Sequence, residues 1–164
     1  MAVLSLGRIL MPHDLPVVYR SSVIDEWTTP AGFFKPGYHA VAFDLAMADF
    51  TALLGCGYDD IERTGNSVFM IGTHVRFWGH AHRGDNIDIA VRMLDHDAKR
   101  MQSIAYMFCG GEKLIATGEF KMIHVDMKIR RSSEFPLALR NKISQLKSEH
   151  DQIDWPPVRD HTEM

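Results

Sequence analysis

Residues 38–54 read YHAVAFDLAMADFTALL, and this stretch decides the fold of the 164-residue chain. It contains neither Gly nor Pro, and its content of Ala, Leu and Met favours a helix. Apolar residues fall on almost every face of that helix, which indicates burial on more than one side. Gly55 and Gly57 follow it and are placed to end it. We therefore predict a long central helix wrapped by a curved β-sheet.

Strand-like segments flank this helix on both sides. The loop before it, residues 28–37 (TTPAGFFKPG), holds two Pro and two Gly. Short turns, including the Gly110-Gly111 pair, join the later segments, and strands connected by hairpins run antiparallel. The predicted strands are residues 17–27, 67–78, 87–94, 99–109 and 113–126. The pattern predicts an α+β fold in which one helix packs on one face of an antiparallel sheet.

The C-terminal part of the chain differs in character, so we predict a domain over residues 1–127 and an extension over residues 128–164. Apolar residues at helical spacing predict a helix over residues 136–150, capped by Ser132 or Ser133. The last stretch, DWPPVRDHTEM, contains two prolines and is predicted to be an extended or flexible tail.

Composition and charge are those of an ordinary soluble domain. Hydrophobic residues make up 46% and charged residues 24%, and a chain of this size buries enough surface to fold without a disulfide or a metal. The net charge of −3 indicates no nucleic-acid partner. The N-terminal stretch MAVLSLGRILMPHDLP is too short, and too interrupted by Arg8, for a signal peptide or membrane span. We therefore expect a cytoplasmic protein without a membrane partner.

The cysteines and histidines indicate neither a disulfide framework nor a metal site. Cys56 and Cys109 are too few for a framework and are predicted to be free thiols. His74, His80 and His82 span a strand and a turn, with no cysteine pair or carboxylate triad beside them. We predict no metal and no cofactor.

Several short segments, in order along the chain, carry a family resemblance. The matching segments are Glu26-Trp27 with Gly32, Glu62-x-x-Gly65-Asn66-Ser67-x-Phe69, His74 on a strand, Gly84-Asp85, Asp97-Ala98-Lys99-Arg100, Ala116-Thr117-Gly118-Glu119 and His124-Val125-Asp126. On these residues the chain resembles the hot-dog fold acyl-CoA thioesterases, nearest to the 4-hydroxybenzoyl-CoA and betainyl-CoA thioesterase type.

The resemblance implies hydrolysis of an acyl-CoA thioester. In such proteins a carboxylate activates water or attacks the carbonyl, and a backbone N–H at the helix N-terminus stabilises the oxyanion. CoA enters as part of the substrate, so no separate cofactor is implied. Active sites of this kind lie at a subunit interface, which implies a homodimer or a dimer of dimers.

Four positions depart from the family pattern. Thr29 replaces an acid, Ala31 an asparagine, Phe33 a histidine, and Gly72 a second acid. A threonine hydroxyl does not ionise near neutral pH, so Thr29 needs a partner to act as a base. Three accounts stay open: a relocated acid in an active hydrolase, a non-catalytic protein that binds an acyl-CoA, or other chemistry such as a hot-dog dehydratase or hydratase.

Candidate site residues follow from the resemblance and from local chemistry. Glu62 leads the catalytic candidates because a second hot-dog lineage keeps a carboxylate in this connection, although a solvated loop glutamate is the alternative. Asp44 and Asp49 need polar partners if the central helix buries them. The full set is Glu62, Thr29 and Glu26 for catalysis, Gly32, Phe33, Phe34 and His74 for the acyl group, and Lys99 and Arg100 for the CoA phosphates.

Overall fold

The computed structural model describes residues 15–154 as one curved antiparallel sheet with a long helix, α1, against its inner face. The strand order is β1-β3-β4-β5-β2, with β6 paired to the end of β5. The elements are β1 Val17–Ser22, α1 Pro36–Leu54, α2 Ile61–Thr64, β2 Asn66–Phe77, β3 Asn86–His96, β4 Arg100–Cys109, β5 Lys113–Asp126, β6 Arg131–Ser132 and α3 Leu137–Asp151. The predicted α+β layout of a sheet around one central helix is confirmed.

One face of α1 fills the concave side of the sheet. Its buried residues recur at helical spacing: His39, Ala42, Phe43, Ala46, Met47, Phe50, Thr51 and Leu54. Phe43 meets the Phe120 ring of β5 at 5.8 Å between centroids. A Cβ on Gly118 would lie 2.7 Å from the Phe120 ring and 3.3 Å from Phe43. A side chain at residue 118 would have to displace the Phe120 ring, so the glycine lets the two rings meet above the sheet.

The opposite face of α1 is not covered by its own chain, so burial on more than one side is not found in the single protomer. Val41 is 43% exposed, Leu45 41% and Leu53 64%. The apolar face that predicted a wrapped helix is therefore divided between a buried half and an open half. The open half is a surface on which a second molecule could pack.

Two local predictions were wrong. The first strand ends at Ser22, and residues Asp25–Trp27 form a 3₁₀ turn whose Trp27 side chain is buried. Neither predicted serine caps α3, because the chain reaches that helix through Pro136 with no side-chain cap. Ser133 instead places its hydroxyl 3.0 Å from His124 Nδ1.

The C-terminal helix α3 covers a sheet edge that β1 leaves open. β1 pairs with β3 only as far as Ala90. Beyond it the Met93 N–H donates to His150 Nδ1 of α3 at 2.8 Å, which satisfies an edge donor with a buried side chain. Ile143 of α3 belongs to the main core. All but the first residue of the predicted flexible tail DWPPVRDHTEM, and the N-terminal stretch to residue 14, lie outside the described residues.

Buried histidines give the fold a predicted pH dependence. Burial lowers the pKa of His39, His124 and His150 below the ordinary value of about 6.5. The unfolded chain therefore binds protons more readily, and stability should fall as pH drops below about 6.5. Thermal unfolding at pH 7.5 and 5.5 measures this fall. His150→Asn keeps an acceptor for the backbone N–H without titrating and should flatten the slope, whereas a midpoint that rises at pH 5.5 contradicts the prediction.

No single helix within residues 15–154 is long and apolar enough to cross a bilayer. The bent pair formed by α1 and the helical turns over residues 58–64 has the length and apolar composition of a membrane span. Buried core helices of soluble proteins have the same length and composition. Across the same range, no group of three or more His, Cys, Asp or Glu side chains could hold a metal ion.

Candidate active site

The loop before α1 is a tight hairpin closed by Thr29. Its N–H donates to the Phe33 carbonyl at 2.8 Å, and its Oγ1 accepts the Phe33 N–H at 3.1 Å. The Gly32 N–H donates to the Thr29 carbonyl at 2.8 Å, and Gly32 has φ +82°, a left-handed conformation that favours glycine. Thr29 and Gly32 therefore shape the turn that delivers the chain to α1.

Pro36 and Gly37, at the N-terminus of α1, are exposed among the described residues. Lys35 occupies the cap position without a side-chain cap, and Pro36, the first helical residue, has no N–H. The Tyr38 N–H donates to the Lys35 carbonyl. Within residues 15–154 the Gly37 N–H makes no backbone hydrogen bond outside the helix, and a Cβ at Gly37 would meet nothing within 4 Å. An exposed N–H at the positive end of a helix dipole suits an anion or a developing oxyanion.

Aromatic rings form the floor beneath this helix end. Phe34 is buried and stacks on Trp27 at 5.9 Å and on the His39 ring at 3.9 Å between centroids. Tyr38 lies 6.1 Å from Trp27 and carries the Lys35 ammonium 5.2 Å above its ring. The stack packs the first turn of α1 against the hairpin.

His39 is a buried histidine in this stack and was not among the residues that the sequence predicted. Its Nδ1 lies 3.0 Å from the Lys35 carbonyl, so Nδ1 carries the proton and donates. Burial lowers the pKa of His39. Its Nε2 is buried without a hydrogen-bond partner in the described residues. The available signal was a histidine in the first turn of an otherwise apolar helix.

Some of the predicted site residues meet at this end of the molecule. Glu26 is exposed and adjoins the loop, and its carbonyl accepts the Lys35 ammonium at 3.1 Å. Phe33 is 45% exposed and lies against the rings of His80 and His82. Phe34 faces the other way, into the core. The sequence suggested that both phenylalanines line one acyl pocket. In the structure they face different ways and do not form one apolar wall.

The remaining predicted site residues lie elsewhere in the protomer. Glu62 is exposed on α2, beyond the C-terminal end of α1, and about 27 Å of helix separates it from the N-terminal end. Lys99 and Arg100 lie at the β3–β4 turn near the same distal end, where Arg100 pairs with Asp97. His74 pairs with Glu119 on the sheet face opposite α1.

The surroundings of three other residues, Asp44, Asp49 and Cys56, bear on their chemistry. Asp44 and Asp49 are exposed on the open face of α1, so neither is a buried carboxylate in need of a partner. Burial raises the pKa of the Cys56 thiol to about 12, which keeps it protonated and unsuited to nucleophilic attack.

A curved antiparallel sheet with one long helix against its inner face defines a hot-dog fold protein. Residues 25–143 match the model of the Thioesterase-like superfamily, and the chain belongs to this family.

Known relatives and structures agree with this assignment. The betainyl-CoA thioesterase of Pseudomonas aeruginosa is 22% identical over 139 residues, 84% of this chain and 87% of the relative. The L-carnitine dehydrogenase/betainyl-CoA thioesterase of Ruegeria pomeroyi is 32% identical over 65% of this chain, which spans 21% of that longer protein.

Solved structures show the shared fold. A Staphylococcus aureus protein in complex with CoA has a TM-score of 0.79 at 19% identity, covering 93% of this chain and 94% of its own. A 1,4-dihydroxy-2-naphthoyl-CoA thioesterase from Synechocystis has a TM-score of 0.68 at 16% identity, covering 79% of this chain and 96% of its own.

Proposed function

We propose that this protein hydrolyses an acyl-CoA thioester at the N-terminus of α1. The observation that carries the proposal is the helix end without a side-chain cap, where Gly37 is exposed and a Cβ on it would meet nothing within 4 Å. The names of the relatives, betainyl-CoA and 1,4-dihydroxy-2-naphthoyl-CoA thioesterases, support a CoA thioester as the substrate class. The soluble fold and its family support a cytoplasmic enzyme.

The chemistry needs few groups. Water adds to the thioester carbonyl, and the resulting oxyanion accepts the Gly37 N–H at the positive end of the helix dipole. The tetrahedral species collapses, the C–S bond breaks, and CoA leaves as a thiolate that takes up a proton. This route uses no cofactor beyond the CoA of the substrate.

The edge of β2 supports a homodimer. β2 is an outer strand of 12 residues, and in the described chain nothing pairs with its free edge. Phe69, Met70, Ile71 and Phe77 on it are each at least 40% exposed. Long apolar edges are normally covered, because open ones pair with other chains. Two-fold pairing of β2 with its copy would also bring the open faces of the two α1 helices together.

Such pairing would complete the site from both subunits. β2 begins near the C-terminal end of α1, and its last residue, Phe77, contacts His39 near the N-terminal end. A two-fold axis near the middle of β2 would therefore bring the distal end of the partner to the helix N-terminus. Glu62 of the partner subunit would approach the site. The partner subunit's Lys99 and Arg100 would lie about 10 Å from the β2 edge, two strand spacings away, within reach of CoA phosphates.

A panel of acyl-CoAs with small aliphatic, cationic and aromatic acyl groups tests the activity. We expect CoA release, followed with a thiol reagent, for at least one class. Thermal stabilisation without release would instead support a non-catalytic binder, and loss of enoyl-CoA absorbance without release would support a hydratase.

Gly37→Asp tests the oxyanion site directly. The open space around Gly37 admits the side chain, and a carboxylate in the first helical turn favours the helix. We expect the melting temperature to hold or rise while CoA release falls about 100-fold or more, because the carboxylate repels and displaces the oxyanion. Gly37→Asn has the same shape without the charge, and its loss should be at least tenfold smaller. Equal activity in Gly37→Asp and the wild type would remove this helix end from the reaction.

A further inference from the structure

We propose that His39 is the general base of the reaction, and that its Nε2 holds and deprotonates the water that attacks the thioester. This assignment rests on the proposed hydrolysis. It starts from an observation independent of the family resemblance, namely a buried acceptor nitrogen with no partner in the described residues, at the open end of the central helix.

The hydrogen bonding of the His39 ring determines which of its two nitrogens can accept a proton. The Lys35 carbonyl can only accept, so the bond of 3.0 Å places the proton on Nδ1 and leaves a lone pair on Nε2. Buried polar atoms are nearly always hydrogen-bonded, to protein or to ordered water. The missing donor at Nε2 is therefore expected to be a water molecule, which is the second reactant of hydrolysis.

The position of the ring suits the reaction. His39 lies two residues after Gly37 in the first turn of α1, so base and oxyanion donor occupy the same helix end. Its ring is bounded by Phe34, stacked at 3.9 Å, and by Phe77, edge-on at 5.1 Å. Phe77 is half exposed at the end of the free β2 edge, where the two subunits would meet.

The electrostatics keep the ring neutral and ready to accept a proton. Burial lowers its pKa, opposed in part by the bond to the Lys35 carbonyl, and no charged side chain among the described residues contributes to the shift. A neutral imidazole with a free Nε2 at physiological pH is the form that a general base requires.

The step is balanced with water alone. As the water oxygen bonds to the thioester carbon, one water proton moves to Nε2 and the carbonyl electrons pass to the oxygen held by the Gly37 N–H. Collapse of this oxyanion breaks the C–S bond. The imidazolium then returns its proton to the departing CoA thiolate, which restores neutral His39.

The other candidates are less well placed within the protomer. The Thr29 hydroxyl accepts the Phe33 N–H to hold the hairpin, and it does not ionise near neutral pH. Glu62 is exposed and can approach only from the partner subunit. His39 thus supplies a proton acceptor in a chain whose family carboxylate is replaced by Thr29.

Two substitutions separate catalysis from structure. His39→Asn places an amide nitrogen where Nδ1 lies, so it retains the bond to the Lys35 carbonyl and removes only Nε2. His39→Gln leaves polar atoms near Nε2 but no base. We expect both variants to bind acyl-CoA as the wild type does, measured as a thermal shift. Their kcat should fall by about 10²–10⁴-fold.

Two further readouts do not depend on the variants folding. In the wild type, kcat should fall with a one-proton slope at acid pH, below the ordinary histidine pKa. ¹⁵N NMR of the histidine rings should show His39 as the neutral tautomer with the proton on Nδ1.

Several results would overturn the assignment. His39→Asn turnover within threefold of the wild type leaves the ring with a structural role only. A loss in Glu62→Gln together with full activity in His39→Asn would make the partner's Glu62 the base. If the wild type binds acyl-CoA and releases no CoA, the proposed function itself fails and the catalytic role of His39 fails with it. If the NMR spectrum shows that neutral His39 carries its proton on Nε2, that nitrogen cannot be the proton acceptor.

Discussion

Replacing both Phe69 and Ile71 with lysine is expected to convert the protein to monomers and to reduce CoA release at least 100-fold. Both side chains lie on the free edge of β2, 47% and 54% exposed. Two-fold pairing would bring four lysines close together across the strand edge, and like charges opposed in a sheet destabilise it. Activity should fall with the dimer because the proposed site draws on both subunits.

Light scattering at micromolar concentration measures the first effect and the acyl-CoA assay the second. The variant should have the mass of one chain, 18.7 kDa, and the wild type at least twice that mass. Leu137→Lys is the matched control, because Leu137 is 71% exposed on α3 and away from β2. A wild type that is monomeric and active would contradict both the dimer and the shared site.

The fold could be predicted because its signals are local and repeated. The stretch over residues 38–54 lacks breakers and is rich in helix formers, and the strands after it alternate between hairpin turns. The local predictions that were wrong concerned residues whose structure depends on tertiary contacts. Residues 25–27 left the first strand because Trp27 turns inward to stack on Phe34, a contact that no local propensity encodes.

The site could be predicted only in part, since its residues are brought together by packing. The resemblance pointed to the loop around Thr29 and Gly32, which precedes the helix end proposed here as the site, but the residues there differ from the family pattern. Whether Glu62 reaches that loop depends on a second subunit, and the spacing of residues along one chain does not reveal contacts between subunits. His39 looked like one more residue of a core helix, and only the folded structure shows that its buried Nε2 has no hydrogen-bond partner among the described residues.

Phe43→Ala is expected to cause the largest loss of stability in the core. The side chain is fully buried between α1 and the sheet, in edge contact with Phe120 above Gly118. Truncation removes the buried ring and leaves a cavity that the close-packed sheet cannot fill, a cost of about 3–5 kcal/mol. The melting temperature should fall by about 6–20 °C for a chain of this size.

Leu137→Ala on α3 is the control for this substitution, because Leu137 lies away from the open face of α1. Leu137 is 71% exposed, so its truncation removes little buried surface, and a surface change of this kind usually stays within about 0.5 kcal/mol. Both variants should be melted at one protein concentration, since dimer formation makes the midpoint depend on concentration. Equal midpoints for the two variants would mean that the buried half of α1 does not carry the core. In that case the division of the helix into a core face and an open face would be wrong.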